Sequence, residues 1–260
     1  VIALRYEIEN DGYSNTKSVE LASNISNSSL AKINEMSSSF PGISTTAEPT
    51  LYYPYGLLAS HILGYVGPIS EDELKANPEE YDQNDITGKT GIEQVLEKYL
   101  RGTDGVKQID MSVDGVVTDE YVAQEAVAGA DVMLTIDSDL QKVTEDALAN
   151  NIKMMQDGEL RGAETAKEGA AVVLNVKTGE ILAMASYPNY DPSLFIDGIS
   201  TENWNNYLNA EDHPLMNKAI SSISPPGSTF KMVTAIAGLE SGAIDLNTKI
   251  NDTGVYRYYR

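Results

Sequence analysis

Along the chain the spacing of apolar and polar positions changes period several times, and each change predicts an element. Ile2–Ile8 reads as a short strand, turned by the polar Asn10-Asp11-Gly12, and Val19–Ala22 is a second strand-like piece. Ser28 then opens a small amphipathic helix carrying Leu30, Ile33 and Met36, with Pro41-Gly42 closing it. Leu51-Tyr52-Tyr53-Pro54-Tyr55-Gly56 predicts an extended segment, and the following run to Gly67 predicts one short helix and a stop. Glu71–Tyr81 is acidic and helical or loop-like. Gly91–Leu100 places Ile92, Val95, Leu96 and Tyr99 on one helical stripe, with Arg101-Gly102 as its stop. Between Val106 and Val127 the pattern has period two, and Asp114-Gly115 sits between its alternating runs as a hairpin signal. Val132–Ile136 adds a strand. Asp137-Ser138-Asp139 then supplies an N-cap to a helix from about Leu140 to Met155.

The polar, Gly/Glu/Lys-rich stretch Asp157–Gly169 predicts a boundary between a first unit, 1–165, and a second, 166–260. The second unit opens with two apolar runs, Ala170–Val176 and Glu180–Ser186, around the turn Lys177-Thr178-Gly179. That pattern predicts a hairpin buried on both faces. A long irregular stretch with Pro188, Pro192 and Trp204 leads to Pro225-Pro226-Gly227-Ser228 and a final helix. The fold class is α+β. Val1 is not a start methionine, and the chain stops in the β-prone run Val255-Tyr256-Arg257-Tyr258-Tyr259-Arg260, so a piece of a longer protein is expected.

Composition narrows the chemistry. The 260 residues carry 18 Lys plus Arg against 39 Asp plus Glu, a net charge of −21, which argues against a nucleic-acid partner. With no cysteine, thiolate metal sites, disulfides and a cysteine nucleophile are excluded. The two histidines, His61 and His213, lie far apart without a carboxylate pattern beside them, so core or loop roles are expected and no metal or cofactor is implied. No apolar run is long enough to span a membrane.

Ser228-Thr229-Phe230-Lys231 fits S-x-x-K, in which a lysine amine one helical turn on removes the serine proton. On a helix that spacing puts both residues on one face, with Cβ atoms ~5–6 Å apart. Ser14…Lys17 and Ser29…Lys32 match the same bare pattern, so context has to separate them. Ser228 alone follows Pro-Pro-Gly and opens a helix that is apolar nearly all round: Phe230, Met232, Val233, Ala235, Ile236, Ala237 and Leu239. Such a helix is expected to be central and buried, with free N–H groups at its start that favour developing negative charge. Burial of Lys231 would lower its pKa toward that of a useful base. Taken alone, the residues leave another reading open, in which Ser228 only caps the helix and Lys231 lies on the surface.

Pro225-Pro226-Gly227-Ser228-Thr229-Phe230-Lys231 resembles the active-site signature of class B penicillin-binding proteins, serine D,D-transpeptidases of cell-wall synthesis. Thr178-Gly179-Glu180-Ile181-Leu182-Ala183-Met184-Ala185-Ser186-Tyr187-Pro188 resembles the family's first transpeptidase hairpin, and Asn217-Lys218-Ala219-Ile220 its lead into the nucleophile. Tyr53-Pro54-Tyr55-Gly56, Ala59-Ser60-His61, Gly64-Tyr65-Val66-Gly67 and Gly88…Gly91-Ile92-Glu93 resemble the non-catalytic pedestal. At Leu51 relatives often carry arginine, which puts any carried-over ion pair there in doubt.

The resemblance implies a β-rich, elongated pedestal of the dimerisation type, followed by the start of a penicillin-binding/β-lactamase-like transpeptidase domain. It makes Ser228 the nucleophile toward the D-Ala-D-Ala end of peptidoglycan stem peptides, Lys231 its base, and β-lactams its covalent inhibitors. It implies membrane attachment through an upstream helix, an extracytoplasmic location and a membrane glycan polymerase as partner. A purely non-catalytic pedestal role toward that polymerase stays open; a β-lactam sensor or β-lactamase is disfavoured by the long first unit. The Tyr-Pro-Tyr-Gly run looks more like the elongation, cell-shape type than the division type.

The family's two further motifs, S-x-N and K-T-G, are expected beyond residue 260. Lys89-Thr90-Gly91 and Lys177-Thr178-Gly179 spell K-T-G but precede Ser228, so they are read as a helix start and a hairpin turn. Gly88-Lys89-Thr90 is not a phosphate loop, because Gln83 stands where the first glycine belongs. Tyr52, Tyr53 and Tyr55 are expected to pack between pedestal elements, Trp204 to anchor its loop, and the acidic Glu71–Asp85 stretch to be a solvated face.

Overall fold

In a computed structural model the structure describes residues 21–40, 43–47, 50–83, 85–112, 117–160 and 165–255. The strand and turn expected before Val19, the Pro41-Gly42 stop, the Asp114-Gly115 turn and the run after Val255 lie outside these residues. Helix α1 spans Asn27–Glu35, capped not at Ser28 but two residues earlier by Ser26, whose hydroxyl accepts from the Ser29 N–H. The Leu51–Gly67 run carries the short helix α2 (Ser60–Leu63) and strand β1 (Val66–Pro68). After α3 (Glu71–Ala76), β2 (Ile86–Gly88) pairs antiparallel with β1, Gly67 opposite Thr87.

The amphipathic stripe expected over Gly91–Leu100 is instead two short helices, α4 (Gly91–Val95) and α5 (Glu97–Leu100), broken at Leu96. Val95 and Tyr99 consequently face solvent. The acidic stretch before them is only partly a solvated face. Glu73 binds the Lys89 ammonium, which holds its carboxyl down to about 2, and Asp85 pairs with Arg101, itself stacked 4.1 Å over the Tyr81 ring.

Strands β3 (Val106–Met111) and β4 (Val117–Gln124) form the expected hairpin, with register irregularities at Val106/Lys107 and Asp110/Met111. Helix α6 (Ser138–Gln156) begins at Asp137, whose carboxylate accepts from the Leu140 N–H. The strand expected at Val132–Ile136 is not one. That segment meets strand β6 (Ile181–Tyr187) only at its end: Thr135 Oγ1 donates to the Ile181 carbonyl, and the Asp137 N–H to that of Leu182.

Strand β5 (Gly169–Leu174) pairs antiparallel with β6, Val172 opposite Met184. One face, carrying Ala171, Val173, Ala183 and Ala185, lies under α6, and both of these β6 alanines are fully buried. Gly169 continues that face, where any Cβ would stand 3.2 Å from the Leu148 and Ile152 methyls of α6. The other face is open at Val172 and Leu174, 44% and 53% exposed. Burial on both faces is therefore corrected to full cover on one, because α6 lies along that face while the other is covered only at its Ser186 end, where the stretch at Met216–Lys218 bonds to the Ser186 hydroxyl. The second unit continues through a 3-10 turn (Pro192–Phe195), α7 (Thr201–Asn209), α8 (Lys218–Ser221), a 3-10 turn (Gly227–Phe230) and α9 (Lys231–Glu240).

The buried interior lies where the Tyr53–Val66 segment meets the stretch after β6. Tyr65 stacks on Phe195 at 4.1 Å, His61 meets Tyr190 edge-on at 5.1 Å, and Trp204 packs edge-on against Phe195. Of the three neighbouring tyrosines only Tyr53 is buried; Tyr52 and Tyr55 are exposed. Among the described residues no helix is long and apolar enough to cross a membrane.

Candidate active site

Ser228 and Lys231 lie on consecutive elements, a 3-10 turn and the helix it leads into, rather than within the one helix expected to open at Ser228. Gly227 takes a left-handed φ of 56° and turns the Pro-Pro lead into the 3-10 turn that carries Ser228. The turn closes through the Thr229 N–H and hydroxyl on the Pro226 carbonyl, and the Lys231 N–H donates to the Ser228 carbonyl. Lys231 is then the first residue of α9. The Ser228 N–H has no acceptor among the described residues, as expected of a donor at a helix entry. No hydrogen bond joins the Ser228 hydroxyl to the Lys231 ammonium here.

The expectation of a buried helix is overturned. Every residue from 221 to 237 is exposed, and Phe230, Met232, Val233 and Ile236 are each more than half exposed. The helix is apolar nearly all round, as expected; what is missing among the described residues is a facing element. Only Ile244 folds back, its N–H on the Gly238 carbonyl. Lys231 is exposed with the rest.

Upstream of this turn the chain is tightly held. The His61 ring Nε2 donates to the Pro214 carbonyl at 2.7 Å, and Asn217 Nδ2 donates to the His61 carbonyl at 3.2 Å. Burial holds the His61 pKa down, aided by the Lys218 charge and opposed by the bond to Pro214. Tyr190 donates its hydroxyl to the Ser60 carbonyl at 2.9 Å, and burial pushes its pKa up to about 12. Gln141, wholly buried, closes the edge of β6: its Nε2 donates to the Met184 carbonyl and its Oε1 accepts from the Met184 N–H. Its neighbour Glu145 accepts from the Ala59 N–H, in left-handed backbone, and so ties α6 to the start of α2.

Lys218 is 4% exposed, with its ammonium 2.9 Å from the His213 carbonyl and 3.7 Å from Glu168 Oε2. Sequence reasoning missed Lys218 and Gln141, since lysine and glutamine are usually exposed and neither sits at a marked turn. Asn217, the N-cap of α8, was the only local signal beside Lys218. Both histidines take the core and loop places expected of them. Among the described residues no group of three or more His, Asp or Glu is placed to hold a metal.

Both K-T-G copies stand as expected, at a helix start and in a turn. Gly91 opens α4 with φ 62°, its Cα against the Ile62–Gly64 backbone, and Gly179 turns the β5–β6 hairpin with φ 80°.

With an S-x-x-K turn downstream of the β5–β6 hairpin and matches to both of the family's domain models, the chain belongs to the penicillin-binding proteins. The family model for the penicillin-binding protein dimerisation domain matches residues 3–134, and that for the penicillin binding protein transpeptidase domain matches residues 169–260. Among its relatives, the peptidoglycan D,D-transpeptidase MrdA of Acinetobacter baumannii is 33% identical over 93% of this chain. The match covers 34% of that protein, and the chain spans about a third of the length of the curated relatives it matches. Among solved structures it is similar to one titled for the structural coordination of polymerization and crosslinking by a peptidoglycan synthase complex, at 30% identity and TM-score 0.70, covering 95% of this chain and 43% of that one. It is also similar to the penicillin-binding protein PBP2 of Helicobacter pylori in its complex with MreC, at 31% identity and TM-score 0.69, covering 89% of this chain and 40% of that one.

Proposed function

We propose that this chain supplies the pedestal, residues 1–165, and the nucleophile-bearing start of the transpeptidase domain, 166–260, of a serine-type peptidoglycan D,D-transpeptidase. Ser228 Oγ attacks the penultimate D-alanine carbonyl of a stem peptide while Lys231 accepts its proton. The C–O ester bond forms, the C–N bond to the terminal D-alanine breaks, and that D-alanine leaves with the proton. An amine of a neighbouring stem then attacks the ester, forming the cross-link and freeing Ser228. β-Lactams acylate the same oxygen. The enzyme acts on the extracytoplasmic face of the cell membrane, alongside a glycan polymerase.

The observation that carries this reading is the exposed Ser228 with its unpaired N–H at the entry to α9, one turn before Lys231. A free N–H there is one donor of the oxyanion hole a tetrahedral intermediate needs. In the family the other donor lies on the strand carrying a later K-T-G, and loss of one donor typically costs ~10²–10³ in rate. Residues 1–260 alone are therefore expected to be labelled by a fluorescent penicillin slowly or not at all, whereas the full-length polypeptide is labelled and its Ser228→Ala variant is not. Rapid stoichiometric labelling of the 260-residue chain, or labelling of the full-length S228A variant, would overturn the assignment.

A second reading has support of its own. The likeness to the peptidoglycan synthase complex extends over both units, which favours a pedestal that also holds and regulates a polymerase. Pull-down of a membrane glycan polymerase by full-length protein with and without residues 1–165 tests it, and equal capture by the two would refute it.

A further inference from the structure

From Ser222 to Phe230 the chain is exposed, and its hydrogen bonds are local: Ser222 N–H to the Lys218 carbonyl, and Thr229 to the Pro226 carbonyl. Two prolines, Pro225 and Pro226, fix φ along this tether and stiffen it. The direction in which the tether leaves is therefore set by its upstream anchor, α8. That anchor is built around one buried cation. The Lys218 ammonium donates to the His213 carbonyl and faces Glu168, the residue before β5. Its main-chain N–H donates to Ser186 Oγ on β6, whose hydroxyl in turn donates to the Met216 carbonyl. Asn217 caps α8 at the Ala219 N–H and reaches the His61 carbonyl with its amide nitrogen. A lysine buried this far is costly unless its charge is used. Here it joins the turn at residue 213, the entry to β5 and the start of the tether.

We propose that Lys218 is a positioning residue for the nucleophile: its buried ammonium locks α8 to the His213 turn and to Glu168, and so aims the proline tether that presents Ser228. This rests on the reading of Ser228 as the acylated group. The lysine touches no substrate and acts through the backbone of residues 218–228. The Nζ–His213 contact needs a donor of the right reach, not a particular pKa, so arginine can replace it and methionine, of similar length but without a donor, cannot.

The test uses the full-length polypeptide and measures the second-order rate of Ser228 acylation by a fluorescent penicillin, with thermal unfolding of each variant alongside. K218M is expected to be acylated about tenfold or more slowly at temperatures where it remains folded, since small misplacements of a reacting group cost that much. K218R is expected to recover to within about threefold of the parent, because the guanidinium keeps the donor. A folded K218M acylated at the parent rate overturns the proposal, as does a K218R variant no faster than K218M. Should K218M fail to fold, E168Q decides: slower acylation with unchanged unfolding temperature supports the proposal, and the parent rate overturns it. Absence of labelling in the parent protein defeats the Ser228 assignment itself, an outcome distinct from labelled parent and unaffected variants.

Discussion

The two K-T-G copies allow a sharp comparison, because their glycines share a backbone conformation and differ in surroundings. Gly91 has φ 62°, and a Cβ there would stand 2.6 Å from the Ile62 carbonyl oxygen and 2.7 Å from the Gly64 nitrogen. Gly179 has φ 80°, and a Cβ there would meet nothing within 4 Å. Alanine at Gly179 therefore pays only for left-handed backbone, about 1–2 kcal/mol. Alanine at Gly91 pays the same and must also push two backbones apart, a further ~1–3 kcal/mol of overpacking. The obstructing atoms are backbone, so they cannot swing aside as a side-chain end would. Gly91→Ala is thus expected to cost ~2–5 kcal/mol in total, a large share of the ~5–15 kcal/mol stability typical of a folded protein. Urea titrations of the two single variants, followed by circular dichroism and compared at equal m-value, measure the difference. If Gly91→Ala is no more destabilising than Gly179→Ala, the packing of the α4 entry against the Ile62–Gly64 backbone is not what holds this glycine in place.

Two further outcomes are expected. Gln141→Leu keeps roughly the volume but strips the Met184 N–H and carbonyl of their partners, and at ~1–3 kcal/mol for each of the two orphaned groups the loss should be ~2–6 kcal/mol by urea titration; a loss under about 0.5 kcal/mol would refute the edge-closing role. His61 has a lowered pKa in the fold, so its neutral form is favoured there. Its contribution to stability is complete above the ordinary value of 6.5 and is lost as pH falls below it toward the folded pKa. Unfolding free energies of parent and His61→Gln measured from pH 7.5 to 5 should converge as the pH drops, and a constant gap would show that His61 does not titrate against the fold.

Local patterning carried much of this protein. The pairing of β3 with β4, the Asp137 cap, the pairing of β5 with β6 and the places of the two misplaced K-T-G copies are all decided within a few residues of themselves, and the structure shows each of them. The S-x-x-K segment departs from the helix start expected at Ser228: Pro225, Pro226 and Gly227 lead into a 3-10 turn, and α9 begins only at Lys231. The readings that failed needed a neighbour. Apolar periodicity in α9 and in β5 states that a face wants covering, but not whether another element arrives; Val132–Ile136 has strand-like residues but meets β6 only at its end.

The sequence by itself determined the hairpins, the helix caps, the absence of cysteine chemistry and the serine–lysine spacing, because those follow from short-range sterics, hydrogen bonding and residue inventory. Only the tertiary structure decided that His61 and Tyr190 lock the first unit's Ser60–Val66 segment to the stretch beyond β6, that Gln141 stands in for a strand, and that Lys218 is buried. The partners in those contacts lie from 5 to 153 residues apart, and no local preference of a lysine, a glutamine or a histidine states which distant carbonyl it will meet.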